Sequence, residues 1–274
     1  MLRDAVIAQG LVAPAQLHDP ARVPRELVEL VHTADYVDRF STGDLDEQEM
    51  RVLGFPWSAA LVERAFRAAG GTLEASQTAL ERGIAMNLAG GTHHAFADRG
   101  EGFCVFNDVA IAVRALQREG RIVRAVVIDL DVHQGNGTHA IFGGDPTVFT
   151  FSMHSGRNYP FRKVAGSLDI ELADGTGDDA YLAALERSLP LVIAQSRPDL
   201  MFYLAGADPH EGDRLGRLKL TFDGLRRRDQ LVLEKGREIG VPACVVIAGG
   251  YGHDIAQTVR VHVNTVEIAA RFAH

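Results

Sequence analysis

The period of apolar and polar positions changes repeatedly along the chain, and each change marks an element. Short apolar runs, most of them rich in β-branched residues, lie at 83–89, 124–128, 147–153, 199–205 and 242–248. Such runs read as strands, and the unbroken ones as strands buried in a parallel sheet. Between them the apolar spacing moves to three and four, which predicts helices over 107–119, 178–196, 221–240 and 255–272. Leu182, Leu185, Leu189 and Ile193 share one face of the second of these. A short helical stretch follows Asn136. Residues 1–50 read as mostly helical, with irregular joints at Pro14, Pro20 and Pro24. Residues 58–83 read as a helix broken at Gly70-Gly71, with Thr72 capping its second half. Residues 154–175 read as a long loop containing Tyr159-Pro160. Alternating strand and helix predicts an α/β fold of three αβα layers around a mostly parallel, open sheet.

Composition narrows the class. The chain has 274 residues, 46% of them hydrophobic, which suits one large α/β domain or two small ones. Its net charge is −8, from 28 Lys+Arg against 36 Asp+Glu, which argues against direct nucleic-acid binding. A cationic partner remains compatible with that charge. Cys104 and Cys244 are too few for a disulfide framework and predict a reducing, cytoplasmic setting. No apolar run is long enough to span a bilayer, and residues 1–14 lack a signal-peptide layout. The Arg226-Arg-Arg228 run reads as a solvated helix face.

Candidate chemistry collects where strands end. Asp129, Asp131 and His133 follow the run Arg124–Ile128 and alternate along an extended chain, so they share one face. A carboxylate and an imidazole so placed can bind a metal, with a third ligand from elsewhere. A solvated strand end would carry the same residues. Gly90-Gly-Thr-His93-His94 follows the strand at 83–89, where a surface loop is the alternative. Asp208 follows the strand at 199–205 and is the natural third ligand, though helix caps also use aspartate. Tyr251, between glycines, follows the strand at 242–248, where it could simply pack. Ligands of open α/β sheets gather at the carboxyl ends of strands, so one shared site explains all four clusters most simply.

Taken together, these pieces resemble the histone deacetylase family of the arginase/deacetylase superfamily. The matching segments are Gly90-Gly-Thr-His-His94, Gly102-Phe-Cys104 with Asn107-Asp108, Asp129-Leu-Asp-Val-His-Gln-Gly-Asn136, Gly206-Ala-Asp208 and Gly249-Gly-Tyr251. Asn136 and the Gly-Gly-Tyr form are most similar to class IV deacetylases and their bacterial relatives. The resemblance implies one catalytic domain over 1–274 with a roughly eight-stranded sheet. The chain starts near the family's first helix, so the usual N-terminal strand and rim loop are expected to be absent.

The resemblance further implies Zn²⁺, with Fe²⁺ as the alternative, held by Asp131, His133 and Asp208. It implies hydrolysis of an N-acylated amine, such as acyl-lysine or an acetylpolyamine, by metal-activated water. His94 would be the general base, partnered by Asn136, and His93, oriented by Asp129, would help protonate the leaving amine. Tyr251 would stabilise the oxyanion. Phe103, Gly102, Tyr159 and Gly250 would line the substrate channel. A structural K⁺ would lie near Asp129, Asp131, His133, Ser152 and Met153. Two rivals stand beside this reading: a catalytically silent acyl-amine binding module on the same fold, and a binuclear Mn ureohydrolase. The ureohydrolase needs further bridging carboxylates, but Gln134 follows His133. Oligomeric state is not legible.

Overall fold

The computed structural model describes residues 1–273. The first third is helical: α1 (Leu2–Ala8), α2 (Arg25–Val28), α3 (Ala34–Thr42), α4 (Glu47–Leu53) and α5 (Ala59–Arg82). Strand and helix then alternate through β1 (Ile84–Asn87), α6 (Asp108–Arg118), β2 (Ala125–Asp129), α7 (Asn136–Phe142) and β3 (Val148–Ser155). They are followed by β4 (Leu168–Leu172), α8 (Asp178–Ser196), β5 (Leu200–Leu204), α9 (Phe222–Glu238), β6 (Ala243–Val246) and α10 (Ile255–Ala270). All six strands are parallel, in the order β1-β6-β5-β2-β3-β4.

Central strands are buried on both faces, which is why they read as unbroken apolar runs. Val127 and Phe202 point into a core shared with α5 and α6, whereas Val126, Ile128, Met201 and Tyr203 point into one shared with α8, α9 and α10. The two cores make the αβα layering. Helix starts follow the local chemistry: Asn107, Thr221 and Asp254 each cap a helix by accepting a backbone N–H.

Four expectations are corrected. The sheet has six strands rather than about eight; residues 1–83 are helical or irregular and add none, leaving β1 at one edge. The segment 154–175 is not all loop, since Leu168-Asp-Ile-Glu-Leu172 forms β4 at the other edge. Its apolar–polar alternation was the available signal, and the acidic residues suit an edge strand. α5 runs unbroken through Gly70-Gly71. These glycines serve close packing rather than a break: a Cβ on Gly70 would lie 2.0 Å from the Ala21 carbonyl oxygen.

The fourth correction concerns Arg228, which lies not on a solvated face but at 0% exposure. Its Nη1 donates to the carbonyls of Gly206 (2.6 Å) and Leu130 (3.3 Å). Its Nε and Nη2 donate to Asp229 Oδ1 at 2.9 and 2.8 Å. Asp229 also accepts from the Tyr203 hydroxyl on β5 and the Thr265 hydroxyl on α10. One guanidinium thus ties α9 to the carboxyl ends of β2 and β5. Arg228→Leu strands a buried carboxylate and two carbonyls, and is expected to cost about 3–5 kcal/mol of stability. Urea unfolding that shows a loss below about 1 kcal/mol would contradict this account.

Candidate metal centre

Parallel pairing sets Asp129 on β2 opposite Leu204 on β5 and Ser152 on β3. The chain just past β2 and the chain just past β5 therefore emerge side by side. Asp131, His133 and Asp208 meet there, each with one donor atom within 4.8 Å of the others. His133 Nδ1 lies 2.9 Å from Asp131 Oδ1 and 3.3 Å from Asp208 Oδ2. Among the described residues no other cluster of three such side chains is placed to hold a metal.

Backbone donors hold these carboxylates in place. Val132 N–H donates to Asp208 Oδ1 (2.8 Å), His133 N–H to Asp131 Oδ1 (2.9 Å) and Gly249 N–H to Asp131 Oδ2 (2.8 Å). The last contact requires glycine, because a Cβ there would sit 2.4 Å from Asp208 Oδ2 and 2.6 Å from Asp131 Oδ2. Asp208 Oδ2 is buried without a hydrogen-bond partner. Burial and the nearby Asp131 push the Asp208 carboxyl above the usual carboxylate range. An orphaned carboxylate oxygen, a second carboxylate and an imidazole fit a divalent cation, whose charge would relieve that repulsion.

Two imidazoles stand beside the cluster, with ring centroids 4.1 Å apart. Their loop is clamped from α6: Asp108 accepts from Gly91 N–H (3.0 Å) and Thr92 N–H (2.8 Å). Asn107 caps the same helix and donates to the Ala95 carbonyl. His93 Nδ1 lies 2.6 Å from Asp129 Oδ2, and His94 Nδ1 lies 2.7 Å from Asn136 Oδ1. The partners set opposite tendencies. Burial disfavours the His93 imidazolium, but Asp129 and Asp131 outweigh it and raise the group to about 9. Burial, then the charges of His93 and His133, hold His94 well below the ordinary histidine range.

The remaining expected residues fall around this group. Tyr251 is half-buried; its ring lies 5.6 Å from that of Phe103, and burial raises its hydroxyl pKa. Phe103 is 40% exposed, with φ 66°, and also packs on Phe55. Tyr159 stands edge-on to His94, centroids 4.9 Å apart, and Gly102 packs between the two rings. Gly250 packs instead against Thr258 and Ala207. Ser152 is buried beside Asp129, its hydroxyl 2.9 Å from His154 Nδ1, and Met153 follows it on β3.

Three residues lie near the site that sequence does not assign to it. Glu101 contacts Asn136 and Tyr159; its place directly before Gly102-Phe103 was the only local signal. Asp213 accepts from Tyr251 N–H and from Leu215 and Gly216 N–H groups, shaping the loop beneath Tyr251. Arg228 braces both strand ends from below.

Residues 1–266 match the histone deacetylase domain family. An uncharacterised protein of Picosynechococcus sp. is 47% identical over 262 residues, 96% of this chain and 87% of its own length. Histone deacetylase 2 of Arabidopsis thaliana is 38% identical over 205 residues, 74% of this chain and about half (52%) of that protein. The crystal structure of an HDAC homologue from Aquifex aeolicus superposes with a TM-score of 0.84 at 26% identity, covering 99% of this chain and 76% of that one.

Removing one candidate ligand should empty the cluster. Asp208→Ala is expected to retain under about a tenth of the divalent ion that the wild type holds after metal loading, measured by elemental analysis. Gly249→Ala keeps every donor but intrudes on two, and is expected to lose about tenfold or more in metal affinity by chelator competition. Full occupancy in Asp208→Ala would remove that residue from the ligand set.

Proposed function

The chain belongs to the histone deacetylase family, and from that premise we propose that it hydrolyses the amide of an N-acylated amine at the Asp131–His133–Asp208 cluster. A deacetylase or amidohydrolase activity is what the family supplies; the ligand set, the metal and the residue roles are our reading. The observation that carries it is the unequal histidine pair beside an orphaned acidic cluster: one imidazole paired with a carboxylate, the other with an amide. We assign Zn²⁺ to the cluster, with Fe²⁺ as the alternative. Either ion would act there as a Lewis acid toward the amide carbonyl and an attacking water.

The residues divide the proton traffic between them. His94 Nδ1–H donates a hydrogen bond to Asn136 Oδ1, which leaves Nε2 with a lone pair to take the proton of the attacking water. His93, oriented by Asp129, returns a proton to the departing amine. Separating the tendencies of two titratable neighbours assigns one as base and the other as acid. The Tyr251 hydroxyl, held protonated by burial, donates to the oxygen that gains charge as the carbonyl becomes tetrahedral.

The aromatic rings of Phe103 and Tyr159, with Gly102, line the approach for an apolar acyl-amine chain, while Gly250 lies behind it against Thr258 and Ala207. We take the amine to be acyl-lysine or an acetylpolyamine, for which the −8 net charge is favourable. Asp129 and Ser152, side by side at the ends of β2 and β3, would hold a structural K⁺ with carbonyls near Asp131, His133 and Met153. The two free, buried cysteines support a cytoplasmic setting. Among the described residues no helix is long and apolar enough to cross a membrane.

Two measurements test this reading. Tyr251→Phe is expected to keep its metal and lose about 10²–10³ in kcat; a variant that keeps more than about a tenth of wild-type kcat would deny the hydroxyl its role. A panel of acyl-lysine peptides and acetylpolyamines, assayed with zinc-loaded protein, should show turnover of at least one class. Saturable binding with no turnover anywhere in the panel would instead mark a binding module.

A further inference from the structure

His94 is fixed by a chain of hydrogen bonds that does not stop at Asn136. Asn136 Nδ2 donates to Glu101 Oε1 at 3.0 Å, and the Tyr159 hydroxyl donates to the same oxygen. The Glu101 side chain is only 15% exposed, with Arg99 Nε 3.6 Å from its second oxygen. A tight turn pins its backbone: Glu101 N–H donates to the Cys104 carbonyl (3.0 Å) and Cys104 N–H returns the bond (2.9 Å).

The direction of this chain follows from its terminus. An ionised carboxylate accepts and never donates. The Asn136 group facing Glu101 must therefore be its NH₂, which turns its Oδ1 toward His94. An amide oxygen can only accept, so the proton of neutral His94 must sit on Nδ1 and the lone pair on Nε2. Without the carboxylate, the amide can rotate by half a turn and offer NH₂ to the imidazole, which would select the other tautomer.

We propose that Glu101 is a positioning residue for His94, locking the Asn136 amide and, through it, the tautomer that leaves Nε2 free. This rests on the reading of His94 as the base. The arrangement also keeps negative charge one residue away from the ring. His93 touches a carboxylate directly; His94 meets a neutral amide whose orientation a carboxylate enforces. Orientation and charge, combined in a single aspartate for His93, are divided between two residues for His94.

The tautomer is read by long-range ¹H–¹⁵N spectra of the histidine rings in zinc-loaded protein, with His94 identified by its loss in His94→Asn. The wild type should show His94 protonated at Nδ1. Glu101→Ala should lose that single pattern, whereas Tyr159→Phe, which leaves Glu101 beside Asn136, should keep it. In kinetics, Glu101→Ala should lower kcat about tenfold or more with KM within about twofold and zinc content unchanged.

Asn136→Asp sets two carboxylates face to face with no donor between them and should lose a similar factor. Adding Glu101→Gln restores a donor toward Asn136→Asp and an acceptor for Tyr159. The double variant should recover at least about fivefold over Asn136→Asp alone. An unchanged His94 tautomer in Glu101→Ala, wild-type kcat in that variant, or a double variant no better than Asn136→Asp would each overturn the proposal. If the wild type hydrolyses no acyl amine, the functional reading falls, while the tautomer spectra still decide the role of Glu101.

Discussion

Two buried carboxylates held side by side at the ends of neighbouring strands are the constraint on which the rest of this molecule turns. Parallel pairing of β2 and β5 brings Asp131 and Asp208 together, and sheet geometry gives them no room to part. Buried like charges raise each other's cost of ionisation unless donors or a cation compensate. The structure supplies part of that compensation through the N–H groups of Val132, His133 and Gly249 and the His133 ring. What is left over, at Asp208 Oδ2, is an electrostatic demand that a divalent ion would meet.

The surroundings can be ordered by how they serve that demand. Arg228 grips the carbonyls of Leu130 and Gly206, one residue ahead of Asp131 and two ahead of Asp208, so a positive charge underlies the same strand ends. Its own burial is matched by Asp229, which Tyr203 and Thr265 anchor to β5 and α10. A buried ion pair adds little net stability compared with apolar packing, but it is costly to break and well suited to fixing a register. Asp108 does for the histidine loop what Arg228 does for the acids, from the opposite layer. Both faces of the sheet thus contribute one charged group each to hold the same end rigid, which a preorganised site requires.

Within that frame the two histidines differ in their surroundings: His93 pairs with Asp129 and faces Asp131, whereas His94 pairs with Asn136 and faces His133. Their rings lie 4.1 Å apart and both are buried. Asp129 and Asp131 outweigh burial at His93, whereas burial and the charges of His93 and His133 prevail at His94, whose partner is a neutral amide. Asymmetry between adjacent identical side chains is therefore a property of the surroundings, not of the residue.

Much of this was legible from the chain alone. Strand ends and helix starts announce themselves through local periodicity and capping, and Asp131, His133 and Asp208 emerge as candidates because several strands carry polar clusters at the same carboxyl ends. What the chain could not reveal is which distant groups converge. Arg228 read as solvated because its helix neighbours are charged; its burial depends on carbonyls 98 and 22 positions away. Glu101 looked like one more loop acid until folding set it against Asn136, 35 residues on. The edge strand β4 and the unbroken α5 were likewise decided by partners outside their own segments, Thr150 to Ser155 for one and Ala21 for the other. Side-chain chemistry and period are written locally, whereas burial, hydrogen-bond direction and strand count are settled by what lies opposite in space.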